Sequence, residues 1–227
     1  MIKLKVGTGK RWLLTGAMTF ALIIISGCVI DTSHVGQYVK PYESWKEEMA
    51  LQDGRMLIVD RTLSYGRSAG IGQGRLIDKR TLDFVIPGTR QTVHWEGDEH
   101  VIPMLLDFKD GVPYLAARPF SCFSFELLGR PIPPYMLFKY TGQWERIAMA
   151  DFPLEFVHVN LSTGDKDYIE RLAGEKVPNE TGYVPARIVM KANASKDISY
   201  RSIVRRGKGN FGGCLVELEQ LDKNRRK

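Results

Sequence analysis

The dipeptide Asp110-Gly111, lying between apolar runs at 99–108 and 112–118, constrains this chain more than any other feature. Asp-Gly suits the two left-handed positions of a tight turn, and such a turn joins neighbouring antiparallel strands. Similar punctuation recurs. Gly97-Asp98 separates 91–96 from 99–108, and Thr141-Gly142 separates 135–140 from 143–149, so each predicts a further hairpin. Residues 55–60 are a short apolar run, and 81–86 set Leu82, Phe84 and Ile86 against Asp83. Residues 154–160, 186–192 and 213–221 also read as strands, as does the aromatic stretch 120–125. Helical signals are few. Ser44-Trp45-Lys46-Glu47 has capping-box spacing, with Trp45 and Met49 on one face and Asp53-Gly54 to close it. Residues 164–174 form the second candidate, with Asp165 and Asp167 in the first turn and Gly174 at the end. The fold class this predicts is mainly β, an antiparallel meander forming a sandwich or open barrel with one or two short helices.

Composition agrees with a folded core: 44% of residues are hydrophobic and 26% charged, which excludes a disordered chain. The net charge of +6 is unevenly spread. Residues 1–27 hold four cations and no acid; residues 201–227 hold eight cations against three acids. The stretch between them is therefore mildly acidic, which argues against nucleic acid as a partner.

The amino terminus has its own signature. Basic residues ending at Lys10-Arg11 precede an apolar stretch, 12–25, and then Ile25-Ser26-Gly27-Cys28. That order of basic, apolar and small residues is a secretory signal, here a signal helix. Its end resembles the lipobox of bacterial lipoproteins, with Ile25 in place of the commoner Leu. The resemblance covers only the first thirty residues or so. It implies a signal peptide over 1–27, cleavage after Gly27, and acylation of Cys28 by diacylglyceryl and fatty acyl groups such as palmitate. Residues 28–43 then read as a tether and 44–227 as one mainly β domain with a basic tail. Val29 is not the Asp that retains such proteins in the inner membrane of enterobacteria. The periplasmic face of the outer membrane is the expected location. The uncharged segment 13–30 also reaches the minimum length of a spanning helix, so an uncleaved anchor is the competing reading.

Export gives the other two cysteines a reading. In an oxidising compartment Cys122 and Cys214 are the natural disulfide candidates; two separate buried thiols are the alternative.

Candidate chemistry is sparse. His94-Trp95-Glu96-Gly97-Asp98-Glu99-His100 is the densest titratable cluster. With Gly97-Asp98 as a hairpin loop, His94, Glu96 and Glu99 share one face, a weak acid or metal candidate, while Trp95 and His100 share the other. The glycines of 68–75 do not have the dinucleotide-binding spacing. Arg205, Arg206 and Lys208, within a glycine-rich stretch, are weak anion-binding candidates, suited to phosphate groups or the anionic sugars of a glycolipid. No catalytic residue, metal or cofactor is expected. The functional expectation is an envelope lipoprotein, held to the membrane by its lipid, whose domain binds or braces an envelope protein or glycolipid. The alternative is an enzyme acting on an envelope polymer through the acids of 94–100.

Overall fold

A computed structural model describes residues 41–66, 76–178, 180, 182–196, 198–205, 208–211 and 214–217. The signal, Cys28, the glycines of 68–74 and Arg206 lie outside them. Lys40–Lys227 group as one compact unit. The protein is mainly β, with two four-stranded antiparallel sheets, each a simple meander. The first holds β1 (Tyr42–Ala50), β2 (Met56–Tyr65), β3 (Ile77–Val85) and β4 (Thr92–Asp98). The second holds β5 (Val101–Lys109), β6 (Val112–Pro119), β7 (Met136–Tyr140) and β8 (Trp144–Ile147). Among the described residues no helix is long and apolar enough to cross a membrane.

Alternation explains the first sheet. Val59 and Leu63 of β2, Leu82 and Phe84 of β3, and Val93 and Trp95 of β4 all point inward. All but Leu63 meet Leu106, Leu115, Ala117 and Met136 of the second sheet in one core. Edge-on aromatic pairs knit the two layers: Phe84 with Phe108 at 5.8 Å and Trp95 with Phe138 at 6.3 Å between ring centres. Each fully buried apolar side chain of this core, such as Val59 or Leu82, contributes roughly 1.5–3 kcal/mol.

The helix expected at 44–53 is a strand, β1. Trp45 and Met49 sit four apart, a spacing that fits either period. Residue 47 decides, because Glu47 points inward between them and is fully buried. The turn at Asp110-Gly111 is as predicted, with φ of 52° and 77°, and it joins β5 to β6. Thr141-Gly142 likewise joins β7 to β8. Gly97-Asp98 does not make a hairpin: β4 pairs with β3, β5 pairs with β6, and the chain crosses between sheets here. The crossover is tight. A Cβ on Gly97 would overlap the Trp95 ring and a Val101 methyl, and Asp98 Oδ1 accepts the His100 amide at 2.9 Å.

Three further expected strands are not strands. Residues 120–125 contribute to a short helix, α1 (Cys122–Leu127), because Ser121 caps it by accepting the Ser124 amide at 3.1 Å. Residues 186–192 lie in α3 (Ala186–Ala194), which begins after Pro185 and buries Ile188, Val189 and Ala192 at helical spacing. Residues 154–160 are irregular; Pro153 lacks an amide proton for a ladder, and Phe152 and Phe156 instead pack edge-on against Tyr114, 6.2 and 5.8 Å away. The helix expected at 164–174 is present as α2 (Lys166–Ala173), capped by Asp165 and ended by left-handed Gly174. Helices α2 and α3 close the end of the first sheet over Trp45 and Leu63.

Three of the four sheet edges, β1, β4 and β5, carry hydrogen bonds from outside their sheet. Val184 bridges β1, with its amide on the Lys46 carbonyl and its carbonyl on the Glu48 amide, both 2.8 Å. The Asn160 side chain pairs with both backbone groups of Leu106 on β5, at 3.1 and 2.9 Å. The Trp144 indole donates to the His94 carbonyl of β4 at 2.8 Å.

Near the carboxyl end come α4 (Ile198–Arg201), β9 (Lys208–Phe211) and β10 (Cys214–Glu217), the last two paired antiparallel. Cys122 and Cys214 are joined as a disulfide, Cα atoms 5.1 Å apart, so the bridge ties this hairpin to the start of α1 rather than to a central strand.

Candidate functional site

The inward phase of a strand normally carries apolar residues, and three arginines break that rule. Arg61 stands between Val59 and Leu63 on β2, Arg80 shares the phase of Leu82 and Phe84 on β3, and Arg118 ends β6. All three are nearly inaccessible. Register brings the first two together: Arg61 lies opposite Leu82 and Arg80 opposite Leu63, which makes them diagonal neighbours on one face. Arg118 approaches from the other sheet, opposite Ile102.

They line one cavity of about 570 Å³. Leu63, Ile77, Ile102 and Phe120 form its apolar wall, and Tyr200 of α4 and the first turn of α2 complete it. Gly164 matters locally, since a Cβ there would strike the Tyr168 ring. The chain can therefore fold back onto Tyr168, whose amide donates to Asp165 Oδ1 at 2.7 Å.

The three guanidiniums are compensated unequally. Arg61 Nη1 sits 3.4 Å from both oxygens of buried Glu47. Glu47 also accepts the Trp45 indole at 3.1 Å, and the Ser162 amide at 2.6 Å and hydroxyl. Arg80 makes its hydrogen bonds through Nη1 alone, to the carbonyls of Asp98, Glu99 and Val101 at 3.1–3.3 Å. Arg118 Nη1 donates to the Pro119 carbonyl at 2.9 Å, and its guanidinium stacks 4.2 Å over Tyr200. Arg118 Nε is buried with no hydrogen-bond partner among the described residues. Neither Arg80 nor Arg118 has a carboxylate within salt-bridge distance among the described residues. Burial pushes both down to about 10, helped at Arg80 by repulsion from Arg61 and Arg118. They stay charged at neutral pH. An unpaired buried ion costs several kcal/mol, and an anion in the cavity would offset that cost through charge-assisted hydrogen bonds.

The residues singled out in the sequence lie elsewhere. His94 Nδ1 meets Asp83 Oδ1 at 2.7 Å, and Glu96 meets Lys79 at 2.8 Å, all on the open face of the first sheet. The Lys79 ammonium holds the Glu96 carboxyl below its ordinary value. Glu99 lies past the end of β4, 3.6 Å from His100 Nε2, so it does not join the other two on one face. Among the described residues no three His, Cys, Asp or Glu are placed to hold a metal ion. Arg205 turns inward to the carbonyls of Pro153, at 2.7 Å, and Met149, at 3.4 Å, straps the irregular segment and lies over Phe152. Lys208 is in β9.

The arginine cavity was not among the sequence candidates, because its residues are scattered over more than a hundred positions. A signal existed in each strand: an arginine in the phase that otherwise buries apolar residues. The chain matches no known family model, no curated protein and no solved structure.

Proposed function

We propose that this chain is an envelope lipoprotein whose folded domain is a non-catalytic binding module, holding an anionic ligand in the arginine-lined cavity. The observation that carries the reading is the pair Arg80 and Arg118, two buried guanidiniums without a carboxylate. Binding is favoured over catalysis by the composition of the wall. Among the described residues its acids are Asp165 and Asp167, both from one turn, and Asp165 is occupied in capping α2. The acids of 94–100 lie outside the cavity, and a general acid needs its proton held more tightly than Lys79 allows at Glu96. For the anchor, the support is the sequence of 1–28 together with the Cys122–Cys214 bridge, a bond typical of exported proteins. Placement on the periplasmic face of the outer membrane belongs to the same proposal.

Thermal unfolding of the full chain in detergent, with phosphate or sulfate replacing chloride at equal ionic strength, tests the cavity. A ligand at about 100 times its Kd stabilises the native state by ~2.7 kcal/mol, so the oxyanions should raise Tm clearly. The rise should vanish in Arg118→Met. An equal rise in wild type and variant, or none in either, would overturn the reading.

A further inference from the structure

Three properties of the cavity narrow the anion it takes. The first is charge. Arg61 is paired with Glu47, which leaves Arg80 and Arg118 as two buried positive charges with no carboxylate at salt-bridge distance among the described residues. A monoanion would leave one of them buried and uncompensated; a dianion closes the account.

The second is the direction of the free donors. Among the described residues Arg80 has no protein partner for Nε and Nη2, the fork that grips a pair of oxygens, and Arg118 has none for Nη2, whereas its Nε is sealed from the cavity. These donors come from opposite sheets, with Arg61 beside them. A carboxylate is planar and offers two oxygens in one plane, whereas a phosphate presents three terminal oxygens around a tetrahedron and can accept from several directions. The amino end of the eight-residue helix α2 also faces the cavity and adds its partial positive charge.

The third is volume. A space of about 570 Å³ lies within the range of roughly 300–1,000 Å³ that encloses drug-sized organic ligands, far more than one phosphate group fills. The remaining wall is apolar and aromatic, with Phe120 stacked 5.3 Å from the Arg80 guanidinium at the mouth. We infer that the ligand is a phosphate monoester, its dianionic phosphate held between Arg80 and Arg118 and its organic part lying against Leu63, Ile77, Ile102 and Phe120. This rests on the cavity being the anion site proposed above. The ester could be soluble or the headgroup of a lipid, and the chemistry of recognition is the same.

Calorimetric titration of the full chain in detergent separates the claims. The probes are phenyl phosphate, its methyl diester (the same ring with one charge), phthalate (a ring with two carboxylates) and inorganic phosphate. Phenyl phosphate is expected to bind at least about tenfold more tightly than any of the other three, a difference of ~1.4 kcal/mol. Phe120→Ala, at the partly exposed mouth, should weaken phenyl phosphate several-fold and leave inorganic phosphate unchanged. Arg118→Met should abolish binding. If that variant does not fold, Arg171→Gln at the exposed rim should still weaken every dianion. Phosphatidic acid displacing phenyl phosphate in mixed micelles would identify a lipid source, and failure to displace it a soluble ester. If the diester or phthalate binds as tightly and still depends on the arginines, the phosphate monoester is wrong and the anion site stands. If no probe binds, or binding ignores both arginine variants, the anion site itself falls.

Discussion

Lys196 shows how the cavity's positive field reaches a neighbouring side chain. Its ammonium donates to the Thr163 hydroxyl on the cavity wall and lies 5.1 Å from the Tyr168 ring. Burial, reinforced by Arg118, brings it down to about 8 from the ordinary 10.5. Between about pH 8 and 10 the unfolded chain keeps a proton here that the folded chain has released, so this group makes stability rise with pH. Above about pH 10 the raised Tyr135 phenol opposes this trend, while the lowered Arg80 and Arg118 guanidiniums extend it. Urea midpoints measured from pH 8 to 10 are expected to rise in the wild type and to rise less in Lys196→Met. Equal slopes would sink the assignment. The residue scale is also where the sequence hid most. Glu47, Arg61 and Arg80 each occupy a position that alternation reserves for an apolar side chain. Taken singly, each looks like an ordinary surface charge. Only the register of β1, β2 and β3 shows that they share a buried face.

At the scale of elements, two of the three two-residue turn signals did their expected work. Asp110-Gly111 and Thr141-Gly142 close hairpins whose strands have no better partner. Gly97-Asp98 fails although β4 and β5 are both edge strands, because the chain crosses there from one sheet to the other with Gly97 against Trp95 and Val101; a local turn signal carries no information about which sheet the next strand joins. Helix α3 was unreadable for a related reason. Ala186–Ala194 is short and apolar enough to suit either period, and its packing on α2 selects the helix. The pairing of Cys122 with Cys214, expected from export and cysteine number, is present, but Cys122 begins a helix instead of lying in a strand. The bridge closes a loop of 92 residues and anchors a hairpin of only four-residue strands. Reduction is expected to cost about 2–4 kcal/mol in denaturant unfolding. Cys122→Ser, Cys214→Ser and the double variant should cost the same, since each removes one and the same bond. Additive losses would mean that the thiols act separately.

For the whole molecule, the class of fold was legible in the sequence, and the arginine-lined cavity was not. Strand periodicity and turns are local, and so is a lipobox. A cavity assembled from β2, β3, β6 and α2 exists only after the sheets have packed. The anchor can be tested independently of the cavity. Labelled fatty acid should enter the wild-type chain, and Cys28→Ser should take up none and persist as uncleaved precursor. Unchanged labelling in that variant would dispose of the lipid anchor, and recovery of wild type with inner-membrane fractions would dispose of the outer-membrane placement alone.

The covered strand edges have a consequence for life on a surface. A protein tethered by lipid, as proposed here, is confined to two dimensions and meets copies of itself continually. An open strand edge under those conditions is a template for zipping one molecule onto the next. Val184 occupies β1, the Asn160 amide imitates a strand residue against β5, and Trp144 caps a carbonyl of β4. Crowding can therefore concentrate this protein without polymerising it through those edges, leaving each copy's cavity free to fill or empty on its own.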